Sequence, residues 1–162
     1  MAESKNSDRE KISKAGASGV LVDRFDHNLD PKKRLTIPSE WRLSLGMPEY
    51  VYILQDPVQK CLRLVPKELM EAKIAKLEDA AIFDPAMSEA LSIIGSRMQQ
   101  AMLDSQGRIR INDKLLAYAG LKTSVAMIGA LRTAKLWNPS CVPEAETSES
   151  PGYSEALRKI AF

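Results

Sequence analysis

The feature that most constrains this chain is that it says nearly the same thing twice. Leu29-Asp30-Pro31-Lys32-Lys33-Arg34-Leu35-Thr36-Ile37 returns as Leu103-Asp104-Ser105-Gln106-Gly107-Arg108-Ile109-Arg110-Ile111. The offset that carries Asp30 onto Asp104 also carries Leu29, Arg34, Ile37, Gly46 and Val51 onto identical residues. Such a repeat means two copies of a small unit that act together. Each copy centres on Asp-x-x-x-Arg in a turn between two apolar, strand-like runs. That turn is where function is expected to lie.

Copy one, residues 20–68, reads as an extended run Val20–Leu29, the turn, and a short strand Arg34–Ile37 with alternating apolar residues. A short helix follows, opened by Pro38 and Ser39, with Trp41 and Leu45 on one face and Gly46 at its end. A hairpin, Tyr50–Leu54 with Cys61–Val65, closes the copy. Copy two, residues 97–140, repeats the order: Met98–Leu103, the turn, Arg108–Ile111, and a helix capped by Asn112 or Asp113. Leu115 and Ala119 share its buried face, Gly120 stops it, and a hairpin of Ser124–Ile128 with Ala134–Trp137 follows. Between the copies, residues 69–96 form a helical spacer. Met70, Ile74 and Leu77 fall on one face, Asp84-Pro85 is a cap-then-N1 pair, and Met87, Ala90, Leu91 and Ile94 mark a second face for core or subunit packing. Residues 1–19 lack the apolar side chains to offset ordering entropy and are expected to be a disordered arm. Residues 141–162 are expected to be a flexible tail, with one or two helical turns available from Tyr153 to Phe162.

Composition mostly excludes. With 162 residues, 44% hydrophobic and 27% charged, the chain is of ordinary globular make-up. No apolar run approaches the roughly 18 to 20 residues of a membrane span, and the polar N-terminus argues against a secretory signal. Cys61 and Cys141 stand alone, without zinc or disulfide spacing. A cytoplasmic protein is expected. His27 is the one histidine, so a Ser-His-Asp or Cys-His arrangement has no second histidine to draw on. There is no Gly-rich phosphate loop, no histidine-based metal motif and no nucleotide fingerprint. The expectation is a non-enzyme with no cofactor, no metal, no small-molecule substrate and no membrane partner.

The units resemble the AbrB/SpoVT-type swapped-hairpin module, and their double arrangement resembles the MraZ family of bacterial regulators. Phe25-Asp26-His27-Asn28-Leu29-Asp30-Pro31-Lys32-Lys33-Arg34-Leu35-Thr36-Ile37-Pro38 is similar to the family's first Asp-Ser-Lys-Gly-Arg turn with its strand and Ile-Pro. Asp104 to Ile111 is similar to the second turn. Ala117-Tyr118-Ala119-Gly120-Leu121, with Ile128-Gly129 and Leu136-Trp137, is similar to the closing helix and hairpin. The likeness spans about residues 20 to 140. There are departures: Pro31 and Lys33 stand where the family has a small residue and Gly, Ile111-Asn112 replaces Ile-Pro, Leu116 replaces Arg, and Lys135 replaces Glu. Either Lys33 is strained at a left-handed position, or this loop has another shape. The resemblance implies a mainly β, α+β fold, in which the two repeats form one pseudo-dimeric double-split β-barrel. It also implies a homo-oligomeric, nucleoid-associated ring that presents the Asp-x-x-x-Arg loops to double-stranded DNA. Tandem promoter boxes of the division and cell-wall gene cluster are the implied target. The alternative is an AbrB-type antitoxin or protein-interaction module, with the C-terminal Tyr153, Leu157, Ile160 and Phe162 docking on a partner.

Net charge is only +2, so any attraction for a polyanion must be local or multiplied by oligomerisation. Lys32, Lys33 and Arg34 are consecutive, with Asp30 the one acid in that turn. Arg offers a planar fork for guanine edges or phosphate, while Lys offers a point charge. Lys32 and Lys33 are therefore expected to hold phosphates, Arg34 to reach bases or phosphate, and Arg108 with Arg110 to position the duplex. Asp30 and Asp104 are read as loop-structuring groups. They would do so by pairing as Asp30–Arg34 and Asp104–Arg108 to close each turn, and the competing reading of the two arginines is that this ion pair is their whole role.

Overall fold

A computed structural model describes residues 17–147 and 150–161. Most of the expected N-terminal arm, residues 1–16, lies outside them. The elements are β1 (Arg24–Asn28), β2 (Arg34–Thr36), α1 (Ser39–Ser44), β3 (Tyr50–Gln55), β4 (Leu62–Pro66), α2 (Lys67–Ala81) and α3 (Pro85–Arg97). They continue with β5 (Gln99–Met102), β6 (Arg108–Arg110), α4 (Asp113–Ala119), β7 (Ser124–Gly129), β8 (Ala134–Trp137) and α5 (Tyr153–Lys159). The alternating apolar runs become strands and the 3.6-spaced ones helices. Asn112, not Asp113, caps α4: its side chain accepts from Leu115 N at 2.9 Å, and Gly120 ends the helix at φ +63°.

The strands of the two copies are exchanged. β1 of copy one pairs with β7 of copy two, and β5 of copy two pairs with β3 of copy one. The β2 and β6 strands pair with each other, Leu35 opposite Ile109. The β3–β4 and β7–β8 hairpins pair within a copy, but every other ladder needs strands from both. All these ladders are antiparallel, and six strands run in the order β1-β7-β8-β4-β3-β5.

The α+β class is as expected, but a closed barrel is not what forms among the described residues. The six-stranded ladder ends at β1 and β5, and β2 with β6 makes a separate two-stranded ribbon. Each ribbon strand has three residues, and among the described residues no third strand pairs with either. The ribbon is held by its inner face instead. Leu35, Ile37, Ile109 and Ile111 are fully buried, in one core with Trp41, Ile53, Leu64, Val125 and Leu136. Trp41 Nε1 also donates to the Val22 carbonyl at 2.7 Å, which fixes α1 to the approach of β1.

Two regions add to their sequence reading. The face of α3 that includes Ile94 is not core within this chain: α3 has no buried residue, and Ile93, Ile94, Ile82 and Phe83 are exposed. Residues 139–147 have local structure where an unstructured stretch was expected, and α5 stands where one or two helical turns were expected. Single 3-10 turns form at Pro139–Cys141 and Glu144–Glu146, and α5 follows. Val142 packs on the small cluster of Cys61, Ala126 and Trp137, and Lys135 bonds Glu146. Tail residues therefore cover apolar surface that the hairpins leave open.

Candidate nucleic-acid interface

The two Asp-x-x-x-Arg turns are built alike. In the first, Asp30 Oδ1 accepts from Lys32 N at 2.9 Å and Arg34 N at 2.8 Å, and Oδ2 accepts from Arg34 Nε at 2.5 Å. In the second, Asp104 Oδ1 accepts from Gln106 N and Arg108 N, both at 2.9 Å, and Oδ2 from Arg108 Nε at 2.8 Å. The backbone closes around each carboxylate: Lys33 N donates to Asp30 O and Gly107 N to Asp104 O, while Asp30 N and Asp104 N donate to Arg34 O and Arg108 O. This is a three-residue hairpin loop whose last residue is left-handed. Gly107 has φ +74° and Lys33 has φ +60°. Of the two shapes left open for the first loop, the strained one is adopted.

The electrostatics follow the geometry. Burial pushes the Asp30 carboxyl up, but hydrogen bonds from the Arg34 backbone and guanidinium outweigh it and hold the group below its usual value. The Asp104 carboxyl is held low first by the Arg108 backbone N–H. Both carboxylates therefore stay ionised and keep their arginines in place.

Because β2 and β6 are antiparallel, the turns lie at opposite ends of the ribbon. Each is tied to the other copy: Ile37 N donates to Gly107 O, and Ile111 N to Lys33 O. Leu35 and Ile109 point inward, so the strand period puts Arg34, Thr36, Arg108 and Arg110 on the outer face. Arg34 stands directly opposite Arg110, and Thr36 opposite Arg108. Like charges in direct cross-strand register are unfavourable on their own. An anion above the ribbon would relieve them. At the first end Pro31, Lys32, Lys33, Arg34 and Arg110 line a surface depression of about 300 Å³.

The charge is distributed differently from the simple reading of copy one. Lys33 is not free in its turn; its Nζ lies 2.6 Å from Asp113 Oδ1, on the helix of copy two. Arg34 and Arg108 are paired within their turns. Among the described residues, Lys32 and Arg110 have no ion-pair partner, one from each copy. Sequence reasoning missed Arg42. It belongs to α1 of copy one, yet it covers the turn of copy two, where a Cβ on Gly107 would meet its Cζ and Nε at 2.5 Å. Its Nε donates to Ile37 O at 3.1 Å. The signal was present in the repeat: Arg42 is the counterpart of Leu116, and Lys33 of Gly107. At one end an arginine lies over a glycine. At the other, a lysine occupies the turn and the helix position is an apolar Leu116. Arg24 is paired with Asp26, Lys60 lies 4.4 Å over the Tyr118 ring, and His27 is half-buried against Phe25.

Among the described residues there is no cluster of His, Cys, Asp and Glu arranged to hold a metal, and no helix is long and apolar enough to cross a membrane. No family model matches the chain. Known proteins do. The chain is 30% identical over 143 residues to the transcriptional regulator MraZ of Symbiobacterium thermophilum, an alignment covering 87% of this chain and all of that protein. It is 28% identical over 140 residues to that of Thermomicrobium roseum, covering 86% and 96%. With that of Bifidobacterium longum it shares 25% over 141 residues, covering 87% and 92%.

Proposed function

The chain belongs to the MraZ family, and from that premise we propose that it is a transcriptional regulator that grips double-stranded promoter DNA with the outer face of the β2/β6 ribbon. The observation that carries the proposal is the Arg34–Arg110 register at the mouth of a depression ringed by Lys32 and Lys33. A duplex presents phosphates at a spacing that many such cations can meet, and bidentate arginines can read guanine edges beside them. In this reading Asp30 and Asp104 are positioning residues that aim Arg34 and Arg108. Lys32 and Lys33 hold phosphates, and Arg110 and Arg42 steady the duplex at the two ends.

The exchanged strands support an AbrB-type swapped-hairpin assembly within one chain. One ribbon neutralises few phosphates, so affinity would come from several ribbons on a homo-oligomeric ring meeting tandem boxes. The exposed Ile82, Phe83, Ile93 and Ile94 offer apolar surface for ring contacts. The division and cell-wall gene cluster is the proposed target, and the cytoplasm, on the nucleoid, the proposed place of action. The protein acts by binding, without catalysis. Of the residues named for the antitoxin alternative, Tyr153 and Ile160 are exposed and Phe162 lies outside the described residues, while an earlier part of the same tail packs on its own sheet through Val142.

The test is titration of duplex DNA from the region upstream of the protein's own gene. Arg34→Ala and Arg110→Ala each weaken binding by about tenfold or more, with the mass of the assembly unchanged. Unaltered titrations for both variants would falsify the ribbon as the contact surface.

A further inference from the structure

The three acids at the ribbon are not equivalent. Asp30 and Asp104 each accept two backbone N–H bonds and one guanidinium bond inside their own turns. Their backbone bonds make them parts of the loop, and no ligand could displace those without undoing it. Asp113 accepts only from Lys33 among the described residues, across the two copies. The side chains of Lys33 and Asp113 are 48% and 69% exposed, so water and ions reach the bridge. An exposed pair of this kind is weak and readily exchanged.

Lys33 sits in the wall of the cationic depression with Lys32, Arg34 and Arg110. It also adopts a left-handed backbone that the other copy gives to glycine. The second end of the ribbon lacks this device. The counterpart of Asp113 is Ser39, and the helix residue over the turn there is the cation Arg42.

We propose that Asp113 is a displaceable internal counter-ion, holding Lys33 in the free protein and yielding it to a backbone phosphate when DNA docks. The proposal rests on the DNA-binding reading above and names the residue that tunes affinity at one end of the ribbon. Exchange is favoured because a duplex phosphate sits in a dense row of like charges that attracts Lys33 more strongly than one solvated carboxylate. Lys33 on Asp113 keeps the end from self-repulsion with Arg34 and Arg110 before DNA arrives. The Lys33 ammonium holds the Asp113 carboxyl below its usual value, so the acid is ionised at neutral pH and available for the exchange.

The experiment measures Kd of the full-length protein for the upstream duplex at several salt concentrations, for wild type, Asp113→Asn, Lys33→Gly, the double variant and Arg110→Ala. Glycine at 33 keeps the left-handed turn, and Lys33→Gln serves as a second removal of the charge. The expected result is that Asp113→Asn tightens binding by roughly two- to fivefold, the scale of an exposed ion pair, with its salt slope unchanged. Lys33→Gly and Lys33→Gln lower the slope by roughly 0.9, one phosphate contact, whether residue 113 is Asp or Asn. The proposal is overturned if Asp113→Asn steepens the slope by that amount while Lys33→Gly leaves it unchanged in the Asp113 background. Lys33 would then stay on Asp113 in the complex. It is also overturned if no change at 33 or 113 alters binding while Arg110→Ala still weakens it, a result that leaves the ribbon reading intact. Salt-insensitive binding, or none, from the wild type overturns both.

Discussion

Replacing Gly107 with alanine tests whether the two turns share one backbone geometry. At φ +74°, an alanine pays the left-handed penalty of about 1–2 kcal/mol. A stiffer unfolded chain returns about 0.4–1 kcal/mol. The new Cβ would lie 2.5 Å from Arg42 Cζ and Nε, so the guanidinium must move and give up its 3.1 Å bond to Ile37 O. That bond contributes about 0.5–1.5 kcal/mol. The net loss is about 0.5–3 kcal/mol, or roughly 2–4 °C in Tm for each kcal/mol in a chain of this size. Lys33→Gly is the mirror experiment. It relieves the same left-handed penalty at φ +60°, loses part of the gain to chain entropy, and gives up one half-exposed ion pair. It should fall between neutral and about 1 kcal/mol stabilising. Chemical denaturation of both variants at one fixed protein concentration decides the matter. A destabilising Lys33→Gly alongside a neutral Gly107→Ala would show that the turns are not built alike.

Two further outcomes follow from the same contacts. Asp30, Asp104 and Asp113 all have carboxyls held below the ordinary 3.8 in the folded protein. Their contribution to stability is therefore complete above that value and is lost as pH falls through the lower folded-state values. Denaturation midpoints should be insensitive to these groups from neutral pH down to about 5 and should drop below about 4; a decline centred near pH 6 would contradict the assignment. Asp56 is 2% exposed and accepts from Val58 N, Gln59 N and Arg63 Nε. Asp56→Ala should cost about 2–4 kcal/mol, at the low side of a broken buried pair because Arg63 is partly exposed, and equilibrium unfolding would read it directly.

Much of the fold is legible in the residues. The strand at Arg34–Thr36, the helix stop at Gly120 and the hairpin at Ala134–Trp137 follow from alternation, capping and glycine placement. The helical turn after Tyr153 was legible, but the order around Val142 and Glu146 was not, because these are held by surface that only the assembled sheet provides. For Ile94 the choice between core and subunit packing stayed open because an apolar stripe states a need for burial without naming the partner.

By itself the sequence determined that there are two copies, that each carries an acid-closed turn ahead of a short strand, and that Arg34, Arg108 and Arg110 share the strand face away from the core. A period of two and an Asp side chain within reach of nearby N–H groups are local facts. Only the tertiary structure decided who meets whom: Arg34 opposite Arg110, Lys33 on Asp113, Arg42 over Gly107. Those pairings join residues far apart in the chain. They arise because the copies exchange strands to bury Leu35 and Ile109 together, and periodicity within either copy carries no information about that exchange.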